Sequence, residues 1–215
     1  MLDAITARRL GLIGRLESLD EAVWDTPSLC AGWRAREVVG HLVSILDLPL
    51  HRFLLGVVKA RSFDRFADRV AREYGSMVPA ALTDRFRELA PRRFSPPIVG
   101  PIAPLVDVFV HTRDIERPLG LTADLDPAGL RTVLDFLCGG KARGFVSAKR
   151  TAGLRFVATD LDWTAGDGLL VEGPAGRPDA GGRRSLGGPG RPLRRGRRRP
   201  GPPLGRVTER DHHRK

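Results

Sequence analysis

Between Arg34 and Lys59, Val38, Val39, Leu42, Ile45 and Leu46 recur at steps of three and four residues. That period lays them along one stripe of an α-helix and argues against a strand, where apolar side chains would alternate. Pro49 predicts a kink or break in this helix, because proline lacks the amide hydrogen and crowds the preceding turn. Leu2, Ile5, Leu12, Ile13, Leu16 and Leu19 show similar spacing and predict a helix over residues 2–20. Trp24 to Trp33 (WDTPSLCAGW) holds Pro27 and Gly32 and reads as a connector.

Short helical segments follow at 62–74 and 80–90, around Pro79, and another amphipathic run at Ile102 to Leu119. Asp126-Pro127 supplies a capping carboxylate and a proline at the first helical position, so a helix is expected to about Cys138, where Gly139-Gly140 stops it. The character changes at Gly153. LRFVATDLDW and GLLVEGP are strand-like and are joined across Thr164-Ala165-Gly166-Asp167-Gly168, which has hairpin-turn chemistry. The expected fold is therefore mainly α: a helical bundle over 1–145, a small α+β appendage over 146–174, and a disordered tail over 175–215.

The net charge of +11 suggests a nucleic-acid binder until it is located. Residues 175–215 hold twelve Arg and one Lys against two Asp and one Glu, a net of +10, so the other 174 residues carry only +1. With nine Gly and six Pro, this tail cannot bury enough apolar surface to offset its ordering entropy. It has no aromatic residue for base stacking, so any nucleic-acid binding through it would be non-specific and salt-sensitive. Cys30 and Cys138 form neither a disulfide framework nor a CxxC metal motif, and no apolar run is long enough for a membrane helix. The first residues, MLDAITARRLGLIGRL, place charges inside the would-be apolar stretch and are not a secretory signal. The expectation is a soluble cytoplasmic protein.

His41 falls inside the apolar stripe of the second helix. Asp107 and His111 stand four residues apart on a later helix and so share a face. A carboxylate and an imidazole facing an imidazole from another helix would offer three N/O ligands, the inventory of a catalytic zinc site that keeps one position open. Nickel, iron or manganese suits the same set. Asp114, three residues beyond His111, is a candidate acceptor for an imidazole N–H. A satisfied core histidine and an ordinary helix pair are the plainer alternatives. Cys30, Trp24 and Trp33 read more simply as packing residues, and Asp160 and Asp162 as turn and strand-end residues. His51, ten residues beyond His41, lies off that face.

The segment W24-DTPSLCAGWRAREVVGHL-42, the later D107-VFVHTRDIERPLG-120 and the stretch from Leu161-Asp162-Trp163 to Gly173-Pro174-Ala175 resemble the mycothiol-dependent maleylpyruvate isomerase family, part of the DinB-like four-helix-bundle superfamily. The most specific piece is GW-x3-EVVGHL paired with D-x3-H-x2-D. The resemblance implies a DinB-like bundle in which His41, Asp107 and His111 bind a divalent metal, zinc first. Relatives often carry Glu or His where Asp107 stands. It further implies mycothiol as a thiol cofactor that adds to a small electrophilic substrate, in an isomerase or S-transferase reaction. The competing expectation is a non-catalytic bundle that binds metal or a small ligand. Oligomeric state is not legible.

The tail departs from the resemblance. Relatives continue after the GPA motif with a Leu- and Ala-rich helical segment. The abrupt switch here to Arg, Gly and Pro is what a shifted reading frame through a GC-rich gene produces; a genuine Arg-rich arm is the competing reading.

Overall fold

The computed structural model describes residues 2–93, 100, 102–121, 126–139, 142 and 148–176. Most of the tail, with its expected disorder and its origin, lies outside the described residues. The helices are α1 (Leu2–Glu17), α2 (Ala35–Asp47), α3 (Leu50–Ala60), α4 (Phe63–Gly75), α5 (Pro79–Leu89), α6 (Ile102–Glu116) and α7 (Pro127–Cys138). A 3-10 turn (Glu21–Asp25) follows α1, and a single helical turn (Ala148–Thr151) precedes the strands. Among the described residues, no helix is long and apolar enough to cross a membrane.

The local reasons are visible at the helix ends. α2 opens where the Glu37 carboxylate accepts the Arg34 amide at 2.7 Å, covering a donor the first turn leaves free. The Ser62 hydroxyl accepts the Arg65 amide to start α4, and Pro79 occupies the first turn of α5. Asp126 accepts from the Ala128 and Gly129 amides at 3.3 and 2.8 Å and starts α7. Pro49 divides the expected second helix into α2 and α3 outright rather than kinking it.

α1, α5, α2 and α6 form a ring in which each helix packs against its two neighbours, making the four-helix bundle. One apolar core, with Leu12, Leu16, Val39, Val43, Leu82 and Phe86 among its members, fills the side formed by α1, α2 and α5. α4 lies along the outside of α2 at very close range. A Cβ on Gly40 would stand 2.5 Å from the Ala71 carbonyl oxygen and 2.6 Å from the Gly75 nitrogen, so only glycine fits. α7 packs on the outside of α6, and the sheet joins a second core there through Phe156 and Trp163.

The sheet corrects the expected hairpin. β1 (Leu154–Ala158) pairs antiparallel with β2 (Thr164–Ala165) but parallel with β3 (Leu169–Gly173), giving the order β2-β1-β3. The chain leaves β2 on one edge of β1 and returns on the other. Gly166 and Gly168 allow it, with φ of 77° and 130°. A Cβ on them would lie 2.2 and 2.3 Å from the Leu154 and Gly153 carbonyl oxygens. The glycines that read as turn chemistry instead carry the chain beneath the start of β1.

Candidate functional site

α2 and α6 bring three side chains together where they pack. His41 Nε2 lies 3.6 Å from Asp107 Oδ1, and His111 Nε2 lies 3.5 Å from the same oxygen. The two imidazoles meet edge to face, with centroids 4.9 Å apart. His41 and His111 are 8% and 9% exposed, whereas the Asp107 side chain is 18% exposed and leaves the cluster in contact with solvent. Ligand atoms of all three lie within 4.8 Å of one another, which makes the cluster a possible metal site.

Behind His111 the structure is closed. Its Nδ1 stands 3.1 Å from Asp114 Oδ2, and the Cys30 thiol donates to that same oxygen at 3.1 Å. Cys30 Sγ is also 3.6 Å from His111 Nδ1. The Leu29 amide donates to the Asp114 carbonyl at 3.0 Å, fastening the loop before α2 onto α6. Cys30, His111 and Asp114 form a second group whose ligand atoms are close enough for a metal. Burial pushes the Cys30 thiol up, however, so it stays protonated and acts as a hydrogen-bond donor.

The charges follow from this packing. Burial raises the Asp107 carboxyl, but the His41 imidazole 3.6 Å away and the nearby charges of His111 and Arg9 hold it below its ordinary value. Burial disfavours the His111 imidazolium, yet the Asp114 hydrogen bond, with Cys30 and the Asp107 charge, carries its pKa well above 6.5. A partly exposed ionised carboxylate and a readily protonated imidazole therefore share one recess. A cation can take over the role that the imidazole protons play beside Asp107.

Trp33, read from the sequence as a packing residue, lies over both rings, 5.3 Å from His41 and 6.4 Å from His111. Its indole N–H donates to Asp68 on α4 at 2.8 Å, which fixes it as one wall of the recess. An apolar crevice adjoins His41 on another side, lined by Ser44, Ile45, Phe53, Phe63 and Phe66 among others. Cys30 and Trp33 carry no spacing rule that would place them at α6, so sequence reasoning missed them. Trp24 is core, as expected. His51 lies exposed on α3, outside the cluster, and Asp160 accepts the Ala175 and Gly176 amides to close the end of the sheet region.

The fold and this cluster define a class: a four-helix-bundle protein with an imidazole–carboxylate–imidazole group set between two of its helices. The domain family described as mycothiol maleylpyruvate isomerase N-terminal domain matches residues 7–95. That span runs from α1 through α5 and includes Cys30, Trp33 and His41, so this part of the chain is similar to that domain. Asp107, His111 and Asp114 lie beyond the matched span. No curated protein and no solved structure matches the chain.

Proposed function

We propose that this protein is a metal-dependent enzyme that uses mycothiol, of isomerase or S-transferase type, with His41, Asp107 and His111 as the ligands of a zinc ion. The observation that carries this reading is the convergence of His41 Nε2 and His111 Nε2 on one Asp107 oxygen at 3.6 and 3.5 Å. Ligand atoms about 2.0–2.2 Å from a zinc ion at tetrahedral angles stand roughly 3.3–3.6 Å apart. The family match over residues 7–95 supports mycothiol as the thiol.

A zinc ion held there supplies stabilisation of a thiolate, the nucleophilic form of a thiol, near neutral pH. With its Nδ1 proton held by Asp114, 3.1 Å away, a neutral His111 would present its Nε2 lone pair to the metal. Asp107, ionised, supplies the negative charge that draws a cation into the recess. Trp33 shields both imidazoles from water on its side.

The test is elemental analysis of the purified protein and of His41→Ala in parallel, followed by thiol-dependent assays on electrophiles. We expect one zinc per chain, lost in the variant, and turnover that requires mycothiol. Metal without thiol-dependent turnover would favour the non-catalytic binding module. Absence of metal from both proteins would refute the reading and leave Asp107 and His111 as a helix pair.

A further inference from the structure

An orienting carboxylate is useful only if something other than the group it orients holds it in place. Asp114 is fully buried, and its Oδ1 has no hydrogen-bond partner. Its Oδ2 has two, His111 Nδ1 and the Cys30 thiol, each at 3.1 Å. Cys30 is thus the one independent anchor of this carboxylate among the described residues. The thiol in turn is set by its backbone: the Cys30 amide donates to Ser28 Oγ at 3.1 Å, and its carbonyl accepts the Trp33 amide at 3.1 Å. The anchor therefore belongs to the loop that carries Trp33, while the carboxylate and the imidazole belong to α6.

We infer that Cys30 is a positioning residue, whose thiol holds the Asp114 carboxylate so that His111 keeps its proton on Nδ1 and presents Nε2 to Asp107 and His41. The inference rests on the proposed metal site for its consequence but not for its geometry. Removing the thiol frees the carboxylate to rotate toward its unpartnered side, and the imidazole loses its fixed partner. The expected cost is that of losing a partner behind a metal-binding histidine, about tenfold in metal affinity. A serine hydroxyl can donate to the same oxygen and restore the anchor, whereas alanine removes the donor atom altogether.

Zinc affinity by chelator competition, measured on the full chain, separates Cys30→Ala from Cys30→Ser. Alanine should weaken binding about tenfold, and serine should recover most of it. A second readout needs no metal. In 15N-histidine-labelled protein, the His111 Nδ1 proton should exchange with water faster in Cys30→Ala than in the parent, and slow again in Cys30→Ser. If the parent binds no zinc, the metal reading fails on its own and proton exchange alone decides the role of Cys30. An alanine variant with parental proton exchange, or a serine variant no better than alanine, would overturn the inference.

Discussion

α2 and α3 are consecutive helices of similar length and similar apolar content, separated by Pro49, yet they have opposite fates. α2 buries ten of its thirteen residues and carries His41. α3 buries only Gly56 of its eleven, and Leu50, Leu54, Leu55 and Val58 face solvent. The difference comes from neighbours. α2 is surrounded by α4, α5 and α6, while α3 packs chiefly on α4. An apolar stripe therefore states that a helix has a face to bury, not that the fold will bury it. Position within the bundle makes α2 the rigid support of the site and leaves α3 as its outer neighbour.

The sharpest way to break this contrast is at the α2–α4 contact. Gly40→Ala places a methyl group against backbone atoms of Ala71 and Gly75, which cannot swing aside as a side chain would. We expect a loss of about 3 kcal/mol in stability, read from urea unfolding, together with displacement of the neighbouring His41. Parental stability would show that α2 and α4 are not packed this closely.

α3 has a single comparable contact. A Cβ on Gly56 would fall 2.0 Å from the Phe66 ring, a side chain that also meets Phe53 edge to face at 5.4 Å. Gly56→Ala should cost about 1–2 kcal/mol and loosen α3 from α4 while leaving the bundle folded. Faster amide exchange confined to α3 would confirm it, and protection unchanged there would argue against it.

The end of α2 offers a test through pH. Asp47 sits in a network with Tyr74 of α4 and Arg85 of α5. Burial raises its carboxyl, but the hydrogen bonds from Arg85 and Tyr74 win and hold it below 3.8. A carboxyl depressed by folding adds stability above its unfolded pKa, and that stability disappears as pH falls through the folded value. Asp47→Asn should therefore flatten the acid limb of the melting-temperature curve below about pH 4. An unchanged acid limb would show that the network is not coupled to folding.

The smallest effect belongs to the outer face of α3. Leu54→Ser and Leu55→Lys should each change stability by no more than about 0.5 kcal/mol, since both side chains are already in water. A loss several times larger would mean that this face is covered in solution.

Much of the fold was legible in the chain. The periodicity around Val38 and Leu42, the break at Pro49 and the cap at Asp126 all depend on residues within about a turn of one another, and each appears where its spacing puts it. α1 stops at Glu17 rather than near residue 20, with the Ser18 hydroxyl bonding back to the Arg15 carbonyl at 2.7 Å. The β1–β3 pairing was not legible, because the Gly166 and Gly168 signals report only that the chain turns. Of the candidate site, Asp107 and His111 share a face by helical geometry alone. That His41 faces them was one of the readings its place in the apolar stripe left open, and a resemblance favoured it.

The sequence by itself determined which segments are helical, which of their faces are apolar, and that a carboxylate and an imidazole stand one turn apart on α6. Those properties are set by contacts three and four residues away. Only the tertiary structure decided that α2 is enclosed and α3 is not, that Trp33 covers both imidazoles, and that Cys30 reaches an oxygen of Asp114, 84 residues further along the chain. Such meetings depend on how helices pack in three dimensions. No local spacing encodes which of several apolar faces will find a partner.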